Sequence, residues 1–335
     1  MKFAKLGKSN IEGSVLALGT WSFGGWTWGG QDETAAIDAV HAAIDCGINL
    51  IDTAPMYGFG KSEEIVGKAI KDRRNDVIIA SKCGLRWDCA DGVHFFDTGK
   101  DDIKDNGNIG VYRNLRPASI RLEVENSLKR MNIDCIDLMQ THWQDPTTPI
   151  EESMGELLKL QEEGKIRAIG ASNATVNELK QYLSVGDLVV NQEKYSMIDY
   201  EMEDSGQLNF CADSSIAFLA YSPMAQGLLS GKVTPERKFN EGDQRLRYER
   251  FSTENRVNMQ KMLSEFANIA ETHNATMAQL VMAWTLQQRG CTHLLVGSRN
   301  IQQAKENAAS ADINLTTEEV ASMTAILKEY RKILV

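Results

Sequence analysis

Eight short apolar runs, each followed by an amphipathic segment, set the tightest limit on what this chain can fold into. They are VLALG (15–19), INLID (48–52), VIIASK (77–82), CIDLMQ (135–140), IRAIGAS (166–172), LVVNQ (188–192), IAFLAYS (216–222) and THLLVGS (292–298). Most do not alternate apolar with polar residues, so both faces of each strand are buried, as in a parallel sheet covered by helices. Between them, ETAAIDAVHAAIDC (33–46) places Ala36, Ile37, Val40 and Ile44 on one helical face, and Ile120, Val124 and Leu128 recur every four residues within 118–131. Further helices are expected over 62–71, 149–163, 175–184, 255–273, 276–289 and 301–309, with a last one opening at Thr316. Thr148 to Glu151, Thr175 to Glu178 and Thr316 to Glu319 read as capping boxes, the first with Pro149 at the opening helical position.

Strands alternating with helices leave two architectures, a doubly wound sheet or an eight-stranded β/α barrel. A doubly wound sheet usually carries a glycine-rich first turn, and no GxGxxG is present. GFGKS (58–62) looks like the end of a P-loop, but Pro55 occupies the first glycine position and no strand leads straight into it, so it reads as a turn before a helix. No composition break marks a linker. The expectation is one domain over 1–335, a (β/α)8 TIM barrel with an N-terminal β-hairpin at 3–14 and extra C-terminal helices. A barrel of about 250 residues leaves room for two long loops, 84–117 and 228–252. Both follow strands and so belong to the C-terminal face, where barrel enzymes carry their sites.

Composition removes several function classes. The net charge of −10 argues against nucleic-acid or anionic-membrane partners, which need a basic face, while leaving room for a local phosphate pocket. No apolar run approaches the ~18 residues of a membrane helix. MKFAKLGKSN at the start carries lysines without a following apolar stretch, unlike a secretory signal. Cys46, Cys83, Cys89, Cys135, Cys211 and Cys291 form no CxxC and read as reduced, mostly core thiols of a cytoplasmic protein. His41, His94, His142, His273 and His293 form no HxH or HExxH, so metal-free chemistry is expected.

The residues that end the apolar runs are the most informative. Asp52 ends the second, with Tyr57 in the next turn; Lys82 ends the third; His142 follows the fourth. Ser172 and Asn173, Gln192, Tyr221 and Ser222, then Gly297, Ser298 and Arg299 end the last four. Singly, each has an ordinary role as a turn cap, a packed ring or a solvated charge. Together they supply a phenol, an ammonium, a carboxylate and an imidazole, and a barrel brings them into one ring. Trp21, Trp26, Trp28 and Trp143 follow the first and fourth runs, and Trp87 opens the long loop. Aromatic walls around a polar centre suit an aldehyde, ketone or sugar face. The expected pocket lining is Trp21, Trp26, Tyr57, Trp87, His142 and Trp143.

LIDTAPMYGFGKSEEIVGKAI (50–70), ENSLKRMNIDCIDLMQTHW (125–143) and GKIRAIGASN (164–173) resemble three signatures of the aldo-keto reductases. YSPMAQGLLSGK (221–232) and GSRNIQQAKEN (297–307) resemble that family's cofactor-binding stretches, and the resemblance runs from LALGTW (16–21) to Asn307. It is strongest to the bacterial branch related to general stress reductases and potassium-channel β subunits, whose cofactor is NADP. The resemblance implies a tetrad of Asp52, Tyr57, Lys82 and His142. Tyr57 would protonate the carbonyl oxygen as hydride reaches carbon, with Lys82 expected to lower the phenol pKa and Asp52 to hold Lys82 charged. It also implies NADP(H) contacts from Gly19, Thr20, Trp21 and Asp52. Ser172, Asn173 and Gln192 would bind the carboxamide, and Tyr221 would stack on the nicotinamide. Ser222, Pro223, Met224, Gln226, Gly227, Leu228, Gly231 and Lys232 would line the pyrophosphate. Gly297, Ser298, Arg299, Gln303, Glu306 and Asn307 would hold the adenosine end, Arg299 meeting a 2′-phosphate. Gly297 stands where many relatives have lysine. The expected partner is a small carbonyl or sugar substrate, with room left for a homo-oligomer. A nucleotide-sensing subunit with little turnover and an oxidative sugar or polyol dehydrogenase are the competing functions.

Overall fold

The chain, seen in a computed structural model, is described over residues 1–99 and 108–334. In chain order its strands are β1 (Phe3–Lys5), β2 (Glu12–Ser14), β3 (Leu16–Gly19), β4 (Leu50–Asp52), β5 (Ile78–Cys83), β6 (Leu85–Arg86), β7 (Val93–Asp97), β8 (Gly110–Arg113), β9 (Ile136–Thr141), β10 (Ile166–Ser172), β11 (Val190–Lys194), β12 (Ala217–Tyr221) and β13 (Cys291–Gly297). The helices are α1 (Glu33–Asp45), α2 (Lys61–Ala69), α3 (Pro117–Met131), α4 (Ile150–Glu162), α5 (Val176–Val185), α6 (Glu201–Asp204), α7 (Gln207–Asp213), α8 (Thr253–Ser264), α9 (Ala267–Thr272), α10 (Met277–Leu286), α11 (Ile301–Ala309) and α12 (Thr317–Tyr330).

Eight parallel strands close into a barrel in the order β10-β11-β12-β13-β3-β4-β5-β9, and β1 pairs with β2 as an antiparallel hairpin. Each barrel strand lies within two residues of its expected run. The lack of alternation has the expected cause. Ala17, Leu50, Ala80, Leu138, Ala168, Val190, Leu219 and Leu295 fill the barrel interior. Their neighbours Leu18, Ile51, Ile79, Met139, Ile169, Phe218 and Leu294 are equally buried against the surrounding helices.

Four local expectations need correction. The 84–117 stretch is not structureless: β6, β8 and β7 form a small antiparallel sheet, with residues 100–107 outside the described part. The 228–252 stretch also packs, burying Leu228, Leu229, Val233 and Phe251 in a cluster with α8 and α10. The 255–273 helix breaks into α8 and α9, and α6 and α7 fill a connection where no helix was expected. Finally, Thr148 does not cap α4. Pro149 is the capping residue, and the Thr148 hydroxyl donates instead to the Asp145 carboxylate at 2.7 Å, a stronger acceptor within reach. The boxes at Thr175 and Thr316 form as read.

The hairpin closes the N-terminal end of the barrel. Leu6 and Ile11 join the interior cluster, and the chain turns at Gly7 with φ +56°. A Cβ there would lie 2.3 Å from the Val189 carbonyl oxygen, so only glycine fits this turn. His293, on β13, is fully buried close to Gly13. Burial pushes its pKa down to about 4, outweighing the backbone of Ala4 and Gly13.

This depression fixes a sign. Below pH 6.5 an unfolded His293 takes up a proton that the folded chain refuses until about pH 4. Stability therefore falls as pH drops through that window, by about 3 kcal/mol from this group. Denaturant titrations from pH 7 to pH 4 should show a steeper loss for the wild type than for His293→Gln; parallel profiles would refute the assignment.

Candidate active site

The C-terminal barrel mouth gathers the ionisable strand ends. Lys82 and Asp52 are 1% and 2% exposed, so a full ion pair sits out of water. Lys82 Nζ donates to Asp52 Oδ1 and Oδ2 at 2.9 and 2.7 Å, to the Thr53 carbonyl at 3.0 Å and to the Tyr57 hydroxyl oxygen at 3.1 Å. An ammonium has three protons, and the Asp52 carboxylate, Thr53 and Tyr57 account for all three. The Tyr57 oxygen thus accepts from Lys82, and its own proton is left to point elsewhere. His142 stands edge-on to the Tyr57 ring with centroids 6.0 Å apart, its backbone N–H held by the Cys83 carbonyl at 2.8 Å.

Tyr57 is positioned from below by a glycine pair. A Cβ on Gly24 would lie 2.5 Å from the Tyr57 carbonyl carbon, and one on Gly58, at φ +66°, would lie 2.4 Å from the Gly24 oxygen. The turn after β4 therefore rests directly on the turn after β3. Thr20 ties the same two segments, its N–H and hydroxyl both donating to the Asp52 carbonyl, at 3.0 and 2.9 Å.

The electrostatics differ from expectation at one point. The phenol pKa does not fall below its ordinary value despite the Lys82 hydrogen bond. Burial, reinforced by the Asp52 charge, holds Tyr57 well above the ordinary phenol value. The physical reason is desolvation, which disfavours a buried phenolate, with the nearby Asp52 carboxylate acting in the same direction. Burial also lowers Lys82 against the pull of Asp52, and burial followed by the Lys82 charge holds His142 well below the usual imidazole range. The site at neutral pH therefore offers a protonated phenol and a neutral imidazole.

The predicted carboxamide group assembles beside these residues. Ser172 Oγ donates to the Gln192 carbonyl at 2.8 Å. Asn173, in left-handed conformation at φ +54°, donates to the His142 carbonyl at 2.9 Å and accepts from the Tyr221 hydroxyl at 2.9 Å. Gln192 is turned inward: its Nε2 donates to Asp52 Oδ1 at 2.8 Å, making it a partner of the ion pair. Gln140, which the sequence reading passed over, does the same at 3.4 Å and accepts from Gln192 at 3.3 Å. Its signal was present, a polar residue ending an apolar strand two positions after inward Leu138.

Along 222–231 the backbone repeatedly enters the left-handed region, at Ser222, Ala225, Gln226, Gly227 and Gly231. Such reversals are what an anion-binding array of amides requires, although Ala225, Gly227 and Leu229 close turns within the segment. Met224 and Leu228 pack into the apolar clusters. Lys232 pairs with Glu306 at 2.8 Å, Asn307 donates to Ser298 Oγ at 2.9 Å, and Gln303 accepts from the Arg299 N–H at 2.8 Å. The Arg299 guanidinium donates to Gln31 Oε1 at 2.9 Å, to the Trp28 carbonyl at 3.2 Å and to the Gly30 carbonyl.

Trp21 lies beside Tyr57, ring centroids 6.4 Å apart, and with Tyr221, Ser222 and Gln226 borders a cavity of about 770 Å³. Trp26, Trp87 and Trp143 instead pack with Phe59, Phe95 and Phe96 against the β6–β8 sheet, forming one aromatic wall.

A closed parallel barrel carrying this constellation at its C-terminal mouth defines an oxidoreductase class, and the chain belongs to it: the Aldo/keto reductase family model matches residues 15–328. The chain is 40% identical to the NADH-specific methylglyoxal reductase of Escherichia coli (strain K12), covering 96% of this chain and 97% of that one. It is 37% identical to aldo-keto reductase YhdN of Bacillus subtilis (strain 168), over 98% and 94%. Among solved structures, the glycerol dehydrogenase AKR11B4 from Gluconobacter oxydans matches with a TM-score of 0.86 and 36% identity, covering 98% of this chain and 95% of that one. No helix among the described residues is long and apolar enough to cross a membrane.

The Gly24–Gly58 contact yields a test remote from any charge. Gly24→Ala must displace the Tyr57 turn, and a shift of about 1 Å costs on the order of 100-fold in rate. Steady-state kinetics should show that loss in kcat, with circular dichroism confirming the fold; an unchanged kcat would refute the positioning role.

Proposed function

We propose that the whole chain, 1–335, acts as one barrel domain that reduces a small aldehyde or ketone to the alcohol, with hydride from a nicotinamide cofactor and the proton from Tyr57. The observation that carries this reading is the hydrogen-bond count at Lys82 Nζ, which leaves the Tyr57 proton free for an incoming oxygen. Burial keeps that phenol protonated and His142 neutral, so His142 serves as a hydrogen-bond partner that orients the carbonyl without carrying charge. The oxygen gains negative character as hydride arrives, and this draws the Tyr57 proton across, while Lys82 stabilises the phenolate left behind. In the reverse direction the same phenolate takes the alcohol proton. The bound cofactor supplies the hydride. Ser172 and Asn173 are the polar strand ends assigned here to its carboxamide, and Tyr221 the ring assigned to stack on it. Gln192, committed to Asp52, serves that group by fixing the ion pair. The named activities of the relatives, on methylglyoxal and glycerol, favour a compact carbonyl or its polyol counterpart.

NADPH is the cofactor the resemblance implies, through Arg299. A second reading, NADH, is favoured by the commitment of the Arg299 guanidinium to three acceptors on 28–31 and by the name of the Escherichia coli relative.

Turnover of methylglyoxal, glyceraldehyde and simple ketones, followed by cofactor absorbance, tests the reading. Tyr57→Phe should lower kcat by at least about 1000-fold while cofactor binding persists; retained reduction defeats the mechanism, and binding without turnover on any carbonyl supports the sensor function instead. Measured in the same assay, a kcat/KM at least about tenfold higher with NADPH than with NADH supports the Arg299–phosphate contact. The inverse ratio supports the NADH reading.

A further inference from the structure

β10 ends at Ser172, whose ladder partner is Gln192, and the first backbone bond of α5 runs from the Leu179 N–H to the Thr175 carbonyl. Ala174 lies between the two and is 2% exposed, so its N–H and carbonyl need partners from elsewhere. Two buried side chains supply them. The Ala174 N–H donates to Glu193 Oε1 at 2.8 Å. Gln207, the first residue of α7, donates from Nε2 to the Ala174 carbonyl at 2.8 Å and to the same Glu193 oxygen at 3.1 Å. The three bonds close a ring around one residue. Just before it stands Asn173, at φ +54°, a left-handed conformation that a residue other than glycine keeps only where its surroundings impose it. From there Asn173 donates to the His142 carbonyl at 2.9 Å and to Ser172 Oγ at 3.1 Å, and accepts from the Tyr221 hydroxyl at 2.9 Å. The ends of β9, β10 and β12 thus meet on one side chain.

We propose that Glu193 and Gln207 are positioning residues for the reduction: by clamping Ala174 they hold Asn173 left-handed, and Asn173 in turn sets His142 and Tyr221 at the mouth. This rests on the proposed function, in which His142 orients the carbonyl and Asn173 and Tyr221 meet the nicotinamide. Burying a glutamic acid and a glutamine at 5% and 4% exposure is costly unless their polar atoms are paired, and the ring around Ala174 pairs them. The acceptor is mainly uncharged at neutral pH, because burial pushes the Glu193 carboxyl up to about 8. What the clamp requires at 193 is therefore an oxygen acceptor of this length and not a negative charge. At 207 it requires an amide that donates twice. Its effect on the chemistry passes through the Asn173 side chain.

Single-turnover stopped-flow reduction of methylglyoxal or glyceraldehyde, whichever turns over faster, reads the hydride-transfer rate in the full-length protein with NADH and with NADPH. Gln207→Met, which keeps a similar volume and loses both donated bonds, should slow that step on the order of tenfold, and Glu193→Leu by at least as much. Glu193→Gln keeps a neutral acceptor oxygen and should stay within about threefold of wild type. The deciding measurement is a double-mutant cycle with Asn173→Gly, which retains the left-handed backbone without the side chain. In that background Gln207→Met should cost no more than about twofold further. A tenfold loss that persists without the Asn173 side chain makes the pair merely structural and overturns the inference. So does an unchanged rate in Gln207→Met, or a Glu193→Gln variant as slow as Glu193→Leu. Circular dichroism checks the fold of each variant, and Gln207→Met with its cycle decides the matter by itself if Glu193→Leu does not fold. A wild type that reduces no carbonyl with either cofactor defeats the proposed function and this inference with it, a result seen before any variant is compared.

Discussion

A lysine–aspartate ion pair buried at the barrel mouth sets the terms for everything around it. Removing two charges from water costs several kcal/mol per ion unless geometry and further hydrogen bonds offset the loss. Lys82 is surrounded by Asp52, Thr53 and Tyr57, and the Asp52 carboxylate also receives Gln192 and Gln140. These groups come from β4 and the turn after it, β5, β9 and β11, strands that meet only when the barrel closes. The register sets Lys82 level with Gln140 and places Asp52 beside the strand that carries Lys82. Closure therefore solvates the pair, and the pair in turn places Tyr57, since one of the three ammonium protons goes to its oxygen.

The charge balance of that cluster decides the kind of chemistry it can support. Burial keeps both the phenol and the imidazole neutral, and the pair adds to this, Asp52 acting on Tyr57 and Lys82 on His142. A site of this kind works by holding a donor and an orienting group in place until charge develops on the substrate. Nothing needs to be preionised. Lys82 then matters most after proton transfer, when a phenolate lies within hydrogen-bonding distance of it.

The parts of the molecule legible in the sequence are those governed by periodicity. Each barrel strand was readable because its inner and outer neighbours are both apolar, and the site was readable because a polar residue interrupts that pattern at the mouth, as at Lys82 after VIIAS. The small β6–β8 sheet was not legible. Its strands are two to five residues long, partly exposed, and their pairing joins Leu85 to Arg113 across 28 positions, a contact that local pattern does not encode. Gln192 lies at the mouth as read, but its bond to Asp52 was not legible, because the sequence shows a polar strand end and not how far Asp52 lies across the barrel. Arg299 shows the same limit from the other side. A lone arginine beside expected cofactor contacts says nothing about Gln31, which the fold brings to it from 268 positions away.

Two further groups explain how the strand ends are held without disturbing this balance. Glu123 accepts the Gly84 N–H at 3.0 Å, in the first turn after Cys83, and Glu193 accepts the Ala174 N–H at 2.8 Å, in the first turn after Asn173. Both are buried, and burial pushes each carboxyl pKa up to about 8. At neutral pH they are mainly uncharged acids, still able to accept a backbone hydrogen bond. A carboxylate in either place would add a full negative charge beside a strand end that carries Lys82 or the Ser172–Asn173 pair. A protonated acid fixes the same turn without adding that charge. The two turns that aim Lys82 and Asn173 into the site are thus secured by groups whose burial silences their charge.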